Sequence, residues 1–309
     1  MHLLLEILLL AVGFVMLIKG ADWFVEGAAG IAAKFGIPQL VIGLTIVAMG
    51  TSAPEAAVSI TAAFKGTADI TVGNIVGSNI LNILIILGVT ALLTSVAVQQ
   101  STIRYEIPYV GVVTIALLIM GMTGGVVGRV EGTILWIMFI LYLVYLFFMA
   151  KNGKADEEEA EDAPIWKLLL LIVIGGALII IGADVSVDAA TELARAIGLS
   201  ERFIGLTIVA LGTSLPELCT SVVAAKKGKA DLAIGNIVGS NIFNILFVIG
   251  TTALIIPVTF QSGFIIDTLV ALGAAVLLWI CVYPKKKLTW PGGIVMLVAY
   301  AGYLAYLMN

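Results

Sequence analysis

The chain has 309 residues, of which 61% are hydrophobic and only 12% charged, and its mean hydropathy is +1.15. Soluble domains carry about 25% charged and about 45–50% apolar residues, so this composition excludes an ordinary soluble globular protein. The one histidine is His2, and the cysteines, Cys219 and Cys281, lack metal-ligand or disulfide-framework spacing. These counts argue against histidine catalysis, a histidine metal site and a disulfide scaffold.

Ten apolar segments long enough to span a bilayer follow one another along the chain. The first begins at Leu3 without a basic leader, so we interpret it as a span and not as a removable signal peptide. Most connections are short, but residues 151–163 read KNGKADEEEAEDA and carry most of the net charge of −4. The expected span centres are Val12, Val47, Leu81, Leu117, Phe139, Ile174, Val209, Leu246, Gly273 and Leu297.

A long segment of the chain occurs twice. Residues 42–88 align with residues 204–250 without a gap at a constant offset of 162 positions, and about two-thirds of the positions are identical. Upstream, Gly20-Ala21-Asp22 matches Gly182-Ala183-Asp184 at the same offset. Chance does not produce this agreement, so the sequence contains an internal duplication.

The number of spans sets the orientation of the two copies. Five spans precede the acidic stretch and five follow it, so the second copy enters the membrane from the opposite side. We therefore predict an all-α membrane protein of ten transmembrane helices in two inverted five-helix repeats, a common transporter architecture. The first repeat is expected at 1–150 and the second at 164–309, joined by an acidic cytoplasmic linker at 151–163.

The distribution of basic residues predicts which side faces the cytoplasm, because cytoplasmic loops carry an excess of lysine and arginine. Eleven basic residues fall on the side of the acidic linker and four on the other. We expect a multi-pass protein of the plasma membrane with both termini extracellular and residues 151–163 cytoplasmic. The four basic residues on the extracellular side are Lys65, Arg129, Arg195 and Arg202.

Each copy places polar motifs inside apolar helices. Residues 50–55 read GTSAPE and residues 212–217 read GTSLPE, while GNIVGSN occurs at 73–79 and again at 235–241. An ionised carboxylate at mid-bilayer costs at least about 2.5–3.5 kcal/mol, and no Lys or Arg lies at the depth of Glu55 and Glu217. The two carboxyl groups are therefore either protonated or bound to cations.

The proline of each motif has a predictable effect on its helix. Pro54 and Pro216 lack an N–H group, so carbonyls of the preceding turn lose helical partners, and those of Ala48 and Ala210 are expected among the freed acceptors. Side chains spaced by four residues share one helical face. Such sets are Thr51/Glu55 and Asn74/Ser78/Asn82, repeated as Thr213/Glu217 and Asn236/Ser240/Asn244.

Across the pseudo-twofold axis these groups would converge into an all-oxygen site with two negative charges. Calcium takes six to eight oxygens in flexible geometry, and two carboxylates balance one divalent cation. Sodium, another hard cation, could occupy the same ligands as separate ions, which is a physical basis for exchange.

The same motifs also admit purely structural roles. A proline kink or a glycine-rich helix often serves packing alone, and Asn74 and Asn236 are as well suited to packing or capping as to lining an ion pathway. The acidic residues near span ends and the acidic run of the linker are expected to be solvated. These residues are Asp22, Glu26, Asp184, Asp188 and residues 156–162.

The duplicated GTSxPE and GNIVGSN segments closely resemble the alpha-repeats of the calcium/cation antiporter superfamily, and most of all its prokaryotic sodium/calcium exchangers. The resemblance covers essentially the whole chain. It implies Glu55 and Glu217 as the main calcium carboxylates, with the Ala48 and Ala210 carbonyls serving sodium. The neighbouring ligands that it implies are Thr51, Ser52, Ser78, Asn82, Thr213, Ser214, Ser240 and Asn244.

The favoured function is therefore electrogenic exchange of Na⁺ for Ca²⁺ by alternating access, with no cofactor and no obligatory protein partner or nucleic acid. Some relatives, including potassium-dependent exchangers, carry Asp at the position of Asn244, so the asparagine argues against potassium transport. Calcium/proton antiport, or exchange of another divalent cation, is the main alternative. An intramembrane enzyme using paired acids does not call for a duplicated set of Thr, Ser and Asn ligands. A cation channel fits inverted repeats with broken helices less well than alternating access does.

Overall fold

The structure is a computed structural model that describes residues 2–66, 70–152, 163–198 and 210–308. Within these ranges the chain is almost entirely helical. The helices are α1 (His2–Phe35), α2 (Gln39–Thr51), α3 (Ala53–Phe64), α4 (Thr71–Leu93), α5 (Thr102–Gly124), α6 (Arg129–Asn152), α7 (Ile165–Ala196), α8 (Ala210–Gly212), α9 (Leu215–Lys226), α10 (Ala230–Ile255), α11 (Gly263–Val282) and α12 (Trp290–Met308).

Eight of these helices are long and apolar enough to cross a membrane, and α2 with α3 forms a ninth span bent by 51°. Nine of the ten expected span centres lie in these nine spans of the described ranges. The tenth, Val209, lies outside the described residues, with α8 and α9 following it. The all-helical membrane fold is thus confirmed, and the count of ten spans stays a prediction.

The helices differ sharply in burial. The most apolar stretches of α4 and α10 are 78% and 94% buried, whereas those of α6 and α12 are only 22% and 11% buried. The outer helices expose large apolar side chains such as Leu4, Val130 and Val173. Apolar side chains on the surface of a chain this hydrophobic face lipid, so α4 and α10 are the central helices of the bundle.

Two long helices, α1 and α7, cross the outside of this bundle and pack antiparallel against each other. Their contact is lined by glycines: a methyl group added at Gly20 would lie 2.8 Å from the Gly175 carbonyl oxygen, and one at Gly182 would lie 2.9 Å from that of Gly13. Small residues allow this close approach of two backbones, which is how membrane helices maximise dispersion contacts without a hydrophobic driving force.

Four two-residue strands connect the two halves at the helix ends. They are β1 (Val96–Ala97), β2 (Val126–Val127), β3 (Val258–Thr259) and β4 (Lys287–Leu288). Strand β1 pairs antiparallel with β4, and β2 with β3. Each pair contains one strand from each half of the chain. The internal duplication relates one pair to the other, because β3 is the counterpart of β1 and β4 the counterpart of β2.

The turns before β2 and β4 are also equivalent, but their residues differ. Gly125 has φ 67°, and the corresponding Lys286 has φ 51°. Their carbonyls accept the matching amides of Phe260 and Val98 at 2.8 and 2.9 Å. A left-handed backbone suits glycine and strains a residue with a Cβ, so the two copies share a turn geometry that the second copy makes with a less suitable residue.

Candidate cation site at the two helix breaks

The GTSxPE motifs form breaks between two helices. Thr51 ends α2, Ser52 has φ −84° and ψ 9°, and Ala53 starts α3 with Pro54 in its first turn. Proline is favoured at this position because its missing N–H group would have no helical partner there. Ser214 and Pro216 repeat this arrangement before α9. The predicted helix break is confirmed in both copies.

The break puts each carboxylate at a helix N-terminus. Glu55 lies in the first turn of α3 and Glu217 in the first turn of α9, and both side chains are fully buried. The positive end of a helix macrodipole stabilises a negative charge by about 0.3–2 kcal/mol. This compensates only part of the cost of burying two carboxylates.

The central helices bring the second motif to the same place. Ser78 and Asn82 on α4, and Ser240 and Asn244 on α10, are all buried. A π-helical turn starts at Asn82 and another at Asn244. Such widened turns are frequent at functional sites because they redirect side chains.

Hydrogen bonds cross between the repeats at the carboxylates. The Ser52 hydroxyl donates to Glu217 Oε1 at 2.8 Å, and the Thr51 hydroxyl donates to Asn236 Oδ1 at 2.9 Å. The Ser78 hydroxyl donates to Glu55 Oε1 at 3.4 Å. Thr213 in the second copy faces Glu55, as Thr51 faces Glu217. Each carboxylate is therefore surrounded by hydroxyl groups that include at least one from the opposite repeat.

Four buried oxygens of this cluster have no hydrogen-bond donor among the described residues: Glu55 Oε2, Glu217 Oε2, Asn82 Oδ1 and Asn244 Oδ1. The buried hydroxyl oxygen of Ser214 likewise has no partner there. Leaving a buried polar atom unpaired costs about 1–3 kcal/mol, and more for a charged group. Four orphan acceptors in two symmetric pairs are a ligand set that a bound cation could satisfy.

Asparagines missed as site residues hold the two central helices together. The Asn79 side-chain amide donates to the backbone oxygen of Asn241 at 3.1 Å, and the Asn241 side-chain amide donates to the backbone oxygen of Asn79 at 3.1 Å. Asn82 donates to Asn241 Oδ1 at 3.0 Å, and Asn244 donates to Asn79 Oδ1 at 3.1 Å. Because these bonds use the amide nitrogens of Asn82 and Asn244, they fix the orientation of the two side chains and leave their oxygens free.

Asn74 and Asn236 link helices. Asn74 donates to the Ser59 hydroxyl at 3.0 Å and to the Glu55 carbonyl at 3.4 Å, while Asn236 makes the same bonds with Ser221 and Glu217 at 2.9 and 3.4 Å. The two serines were not predicted, although their identity between the copies was a usable signal.

One expectation about backbone ligands is wrong. The Ala48 carbonyl is not freed by Pro54, because the Ser52 amide donates to it at 3.0 Å. It also accepts the hydroxyls of Thr51 and Ser240, each at 3.3 Å. The carbonyl thus borders the site while keeping its helical bond, since the break falls one turn later. The surroundings of Ala210 lie largely outside the described residues.

The acidic residues near span ends lie apart from this cluster. Asp22 and Glu26 are partly exposed and face Lys227, at 2.5 and 3.9 Å from its Nζ atom. Asp184 and Asp188 are exposed, as expected for solvated faces. The acidic run at 156–162 lies outside the described residues.

A membrane-embedded fold with broken helices and a buried, all-oxygen cluster is that of a cation antiporter. The family model described as sodium/calcium exchanger protein matches residues 5–148 and 167–309. The chain therefore belongs to the sodium/calcium exchanger family, whose members are transporters and not enzymes.

Individual relatives agree with this assignment. The putative antiporter CaxA of Alkalimonas amylolytica is 40% identical over 97% of this chain and 98% of its own length. The sodium/calcium exchanger MaX1 of Methanosarcina acetivorans is 30% identical over 97% of both chains. The solved structure of the sodium-calcium exchanger NCX_Mj superposes with a TM-score of 0.84 at 31% identity, covering 99% of each chain.

Proposed function

We propose that this protein exchanges Na⁺ for Ca²⁺ by alternating access at the cluster formed by the two helix breaks. The observation that carries the proposal is the symmetric set of orphan oxygens around Glu55 and Glu217. The proposed ligands are the two carboxylates, the carbonyls of Ala48 and Ala210, and the side chains of Thr51, Ser52, Ser78, Asn82, Thr213, Ser214, Ser240 and Asn244.

Charge and ligand chemistry support calcium as one ion. Two carboxylates balance one divalent cation, and amide and hydroxyl oxygens can raise the coordination to the six to eight oxygens that calcium takes. Within the described residues, groups of three or more His, Cys, Asp and Glu side chains are absent. The proposed ligands are all oxygens, which suit calcium, magnesium and manganese, and not the thiolates and imidazoles that zinc and copper favour.

Sodium as the counter-ion is supported by the neutral oxygens. A proton needs only a carboxylate, whereas sodium needs several oxygens, and the hydroxyls of Thr51 and Ser52 with the Ala48 carbonyl supply them beside Glu217. Ligands of this kind in both repeats support binding of more than two sodium ions, and exchange would then move net charge. The neutral amide of Asn244 supports transport independent of potassium.

We also propose that the repeats occupy 1–150 and 164–309 and that both termini lie outside the plasma membrane. Strand pairing agrees with this topology, because each pair joins loops assigned to the same side. Lys34, assigned to the cytoplasmic side, donates to the carbonyl of Ala163 at the end of the linker at 2.8 Å.

The test is uptake of radiolabelled calcium into proteoliposomes loaded with sodium, compared with potassium-loaded vesicles and with an imposed pH gradient. We expect uptake that requires internal sodium and is lost in Glu55→Gln and Glu217→Gln. Glu131→Gln is the matched control, because Glu131 accepts the Gly128 amide at 2.9 Å at the start of α6, away from the cluster. Uptake driven by the pH gradient and indifferent to sodium would instead establish calcium/proton antiport.

A further inference from the structure

A cavity with a mostly apolar lining lies away from the cation site, between α5 and α6. Its volume is about 470 Å³, and its polar lining includes Arg104, Glu106, Tyr142 and Tyr145. Glu106 lies four residues into α5, about 6 Å along the helix axis. The cavity is therefore near one end of the two spans, where lipid headgroups meet acyl chains.

Two side chains that line this cavity each carry a buried oxygen without a partner among the described residues. Glu106 and Tyr142 are 1% and 5% exposed. The Tyr145 hydroxyl donates to Glu106 Oε1, but Glu106 Oε2 and the Tyr142 hydroxyl have no partner among the described residues. A bound group that carries N–H donors and a positive charge would satisfy a carboxylate and a phenol oxygen together.

A positively charged side chain also lines this cavity. Arg104 is exposed and forms no ion pair in the described part of the chain, so its guanidinium is available for a phosphate. The remaining lining includes Val112 and Leu141, which are 51% and 62% exposed. Acid, base and apolar walls thus match the ammonium, phosphate and acyl chains of a zwitterionic phospholipid.

We propose that this cavity binds a phospholipid with a primary ammonium headgroup, of the phosphatidylethanolamine class. A primary ammonium donates up to three hydrogen bonds and can serve both orphan oxygens. The quaternary ammonium of phosphatidylcholine has no N–H group and leaves them unsatisfied.

Native mass spectrometry of the purified protein with added lipid tests this site. Phosphatidylethanolamine and phosphatidylcholine with identical acyl chains are compared at equal concentration. We expect selective retention of phosphatidylethanolamine, and loss of that selectivity in Glu106→Gln and Tyr142→Phe. Equal retention of both lipids, or selectivity unchanged in both variants, would overturn the proposal.

Asp267→Asn is the matched control, because Asp267 on α11 accepts the Tyr303 hydroxyl at 2.8 Å in another acid–tyrosine pair. It removes the same charge from a different part of the bundle and should leave selectivity intact. If this variant also loses selectivity, the effect is general and the assignment to the α5–α6 cavity fails. Thermal unfolding of each variant reports whether it is folded.

An independent observation concerns an ion pair that joins the two repeats and whose symmetry-related counterpart does not form within the described ranges. Lys227, directly after α9, contacts Asp22 Oδ1 at 2.5 Å and the Asp22 carbonyl at 3.2 Å, with Glu26 Oε2 at 3.9 Å. Lys227 thus ties the helix that carries Glu217 to the middle of α1.

The duplication assigns an equivalent to each of these residues, in the repeat opposite to its own. They are Lys65, directly after α3, and Asp184 and Asp188 on α7, all at the offset of 162 positions. These three residues are exposed and form no ion pair with one another or with any other described residue. The charges required for a second ion pair are present, but this ion pair is not formed.

Packing shows the same asymmetry. Helix α9 packs against α1. Thr220 on α9 is completely buried, while its counterpart on α3, Val58, is 43% exposed. The helix that ends at Lys227 thus packs against a long helix, and its counterpart α3 is more exposed at the equivalent position.

We infer that the two ion pairs are alternating latches, so that in the opposite-facing state Lys227 releases Asp22 and Lys65 binds Asp184 and Asp188. This inference rests on the proposed alternating access. Because the repeats share these charged positions, exchanging their conformations converts each latch into the other. A partly exposed ion pair contributes little to stability, so both latches can open in turn.

Disulfide cross-linking in a Cys219→Ala, Cys281→Ala background tests the latches. We expect Lys227→Cys with Asp22→Cys to cross-link, and Lys65→Cys with Asp184→Cys to cross-link as well, each arresting calcium uptake. Lys65→Cys with Asp22→Cys joins residues of different latches and is the control that should not cross-link. A Lys65/Asp184 pair that never cross-links would overturn the inference.

Failure of the latch and failure of the proposed function are separable. Cross-linking is scored on a gel and needs no transport, while sodium-driven uptake by the uncross-linked background reports the function alone. Uptake without a Lys65/Asp184 cross-link rejects the latch only.

Discussion

The Ser52 hydroxyl in the first repeat hydrogen-bonds to the Glu217 carboxylate in the second at 2.8 Å. This bond crosses the pseudo-twofold axis, so neither repeat completes its carboxylate environment alone. It also leaves Glu217 Oε2 as the carboxylate oxygen without a partner among the described residues.

Removing the hydroxyl with Ser52→Ala should weaken calcium binding while leaving the fold intact. A hydrogen bond to a charged group contributes about 1.5–3 kcal/mol, so the calcium concentration for half-maximal uptake should rise by roughly tenfold or more. Thr133→Ala is the control, because that exposed hydroxyl bonds back to the Arg129 carbonyl on its own helix. Unchanged calcium dependence in Ser52→Ala would remove Ser52 from the site.

Calcium should stabilise the protein through the paired carboxylates. A ligand bound only by the folded state at 100 times its Kd adds about 2.7 kcal/mol to the free energy of unfolding. Thermal unfolding in detergent should shift upward with calcium and return to its starting value with a chelator. Glu55→Gln should lose this shift, and a shift that survives in that variant would place the calcium elsewhere.

The glycine contact between α1 and α7 should not accept a side chain at its centre. In Gly20→Val the new Cβ would lie 2.8 Å from the Gly175 carbonyl oxygen, and overpacking of this kind costs about 1–3 kcal/mol. We expect a lower unfolding temperature and slower calcium uptake. Gly302→Val on α12 has no described atom within 4 Å of its added Cβ and should change neither quantity.

The left-handed turn before β4 should favour glycine. Lys286→Gly removes the steric cost of φ 51°, so the free energy of unfolding should rise by up to about 1 kcal/mol. Gly125→Lys, at the equivalent turn with φ 67°, should lower it by a similar amount. Denaturation of both variants measures the two changes, and equal signs would contradict a steric cost at this turn.

The sequence alone predicted the membrane fold, the duplication and the helix breaks, because apolar length, repetition and proline act locally. Of the polar residues that it predicted beside the carboxylates, the structure places the Ser52 hydroxyl on Glu217 and the Ser78 hydroxyl on Glu55. The sequence did not predict that Ser52 bonds the carboxylate of the opposite repeat, or that Ala48 keeps its helical bond. Those details depend on where the break falls within a turn and on how two packed helices are rotated.

The contact of Lys227 with Asp22 was beyond prediction for a related reason. The duplicated sequence offers the same charges twice, and nothing local distinguishes Lys227 from Lys65. Only the packing of α9 against α1 decides which pair forms. Identical motifs in a duplicated chain therefore predict the set of available contacts, while the conformation selects among them.

The reciprocal bonds between Asn79 and Asn241 have the form of an isologous interface, in which the same residue on both sides makes the same contact. One half of the chain thus presents a surface complementary to a copy of itself. Two separate half-length chains inserted in opposite directions would meet through the same asparagines. The single chain keeps the contacts of such a two-fold dimer, with the freedom to let its halves diverge.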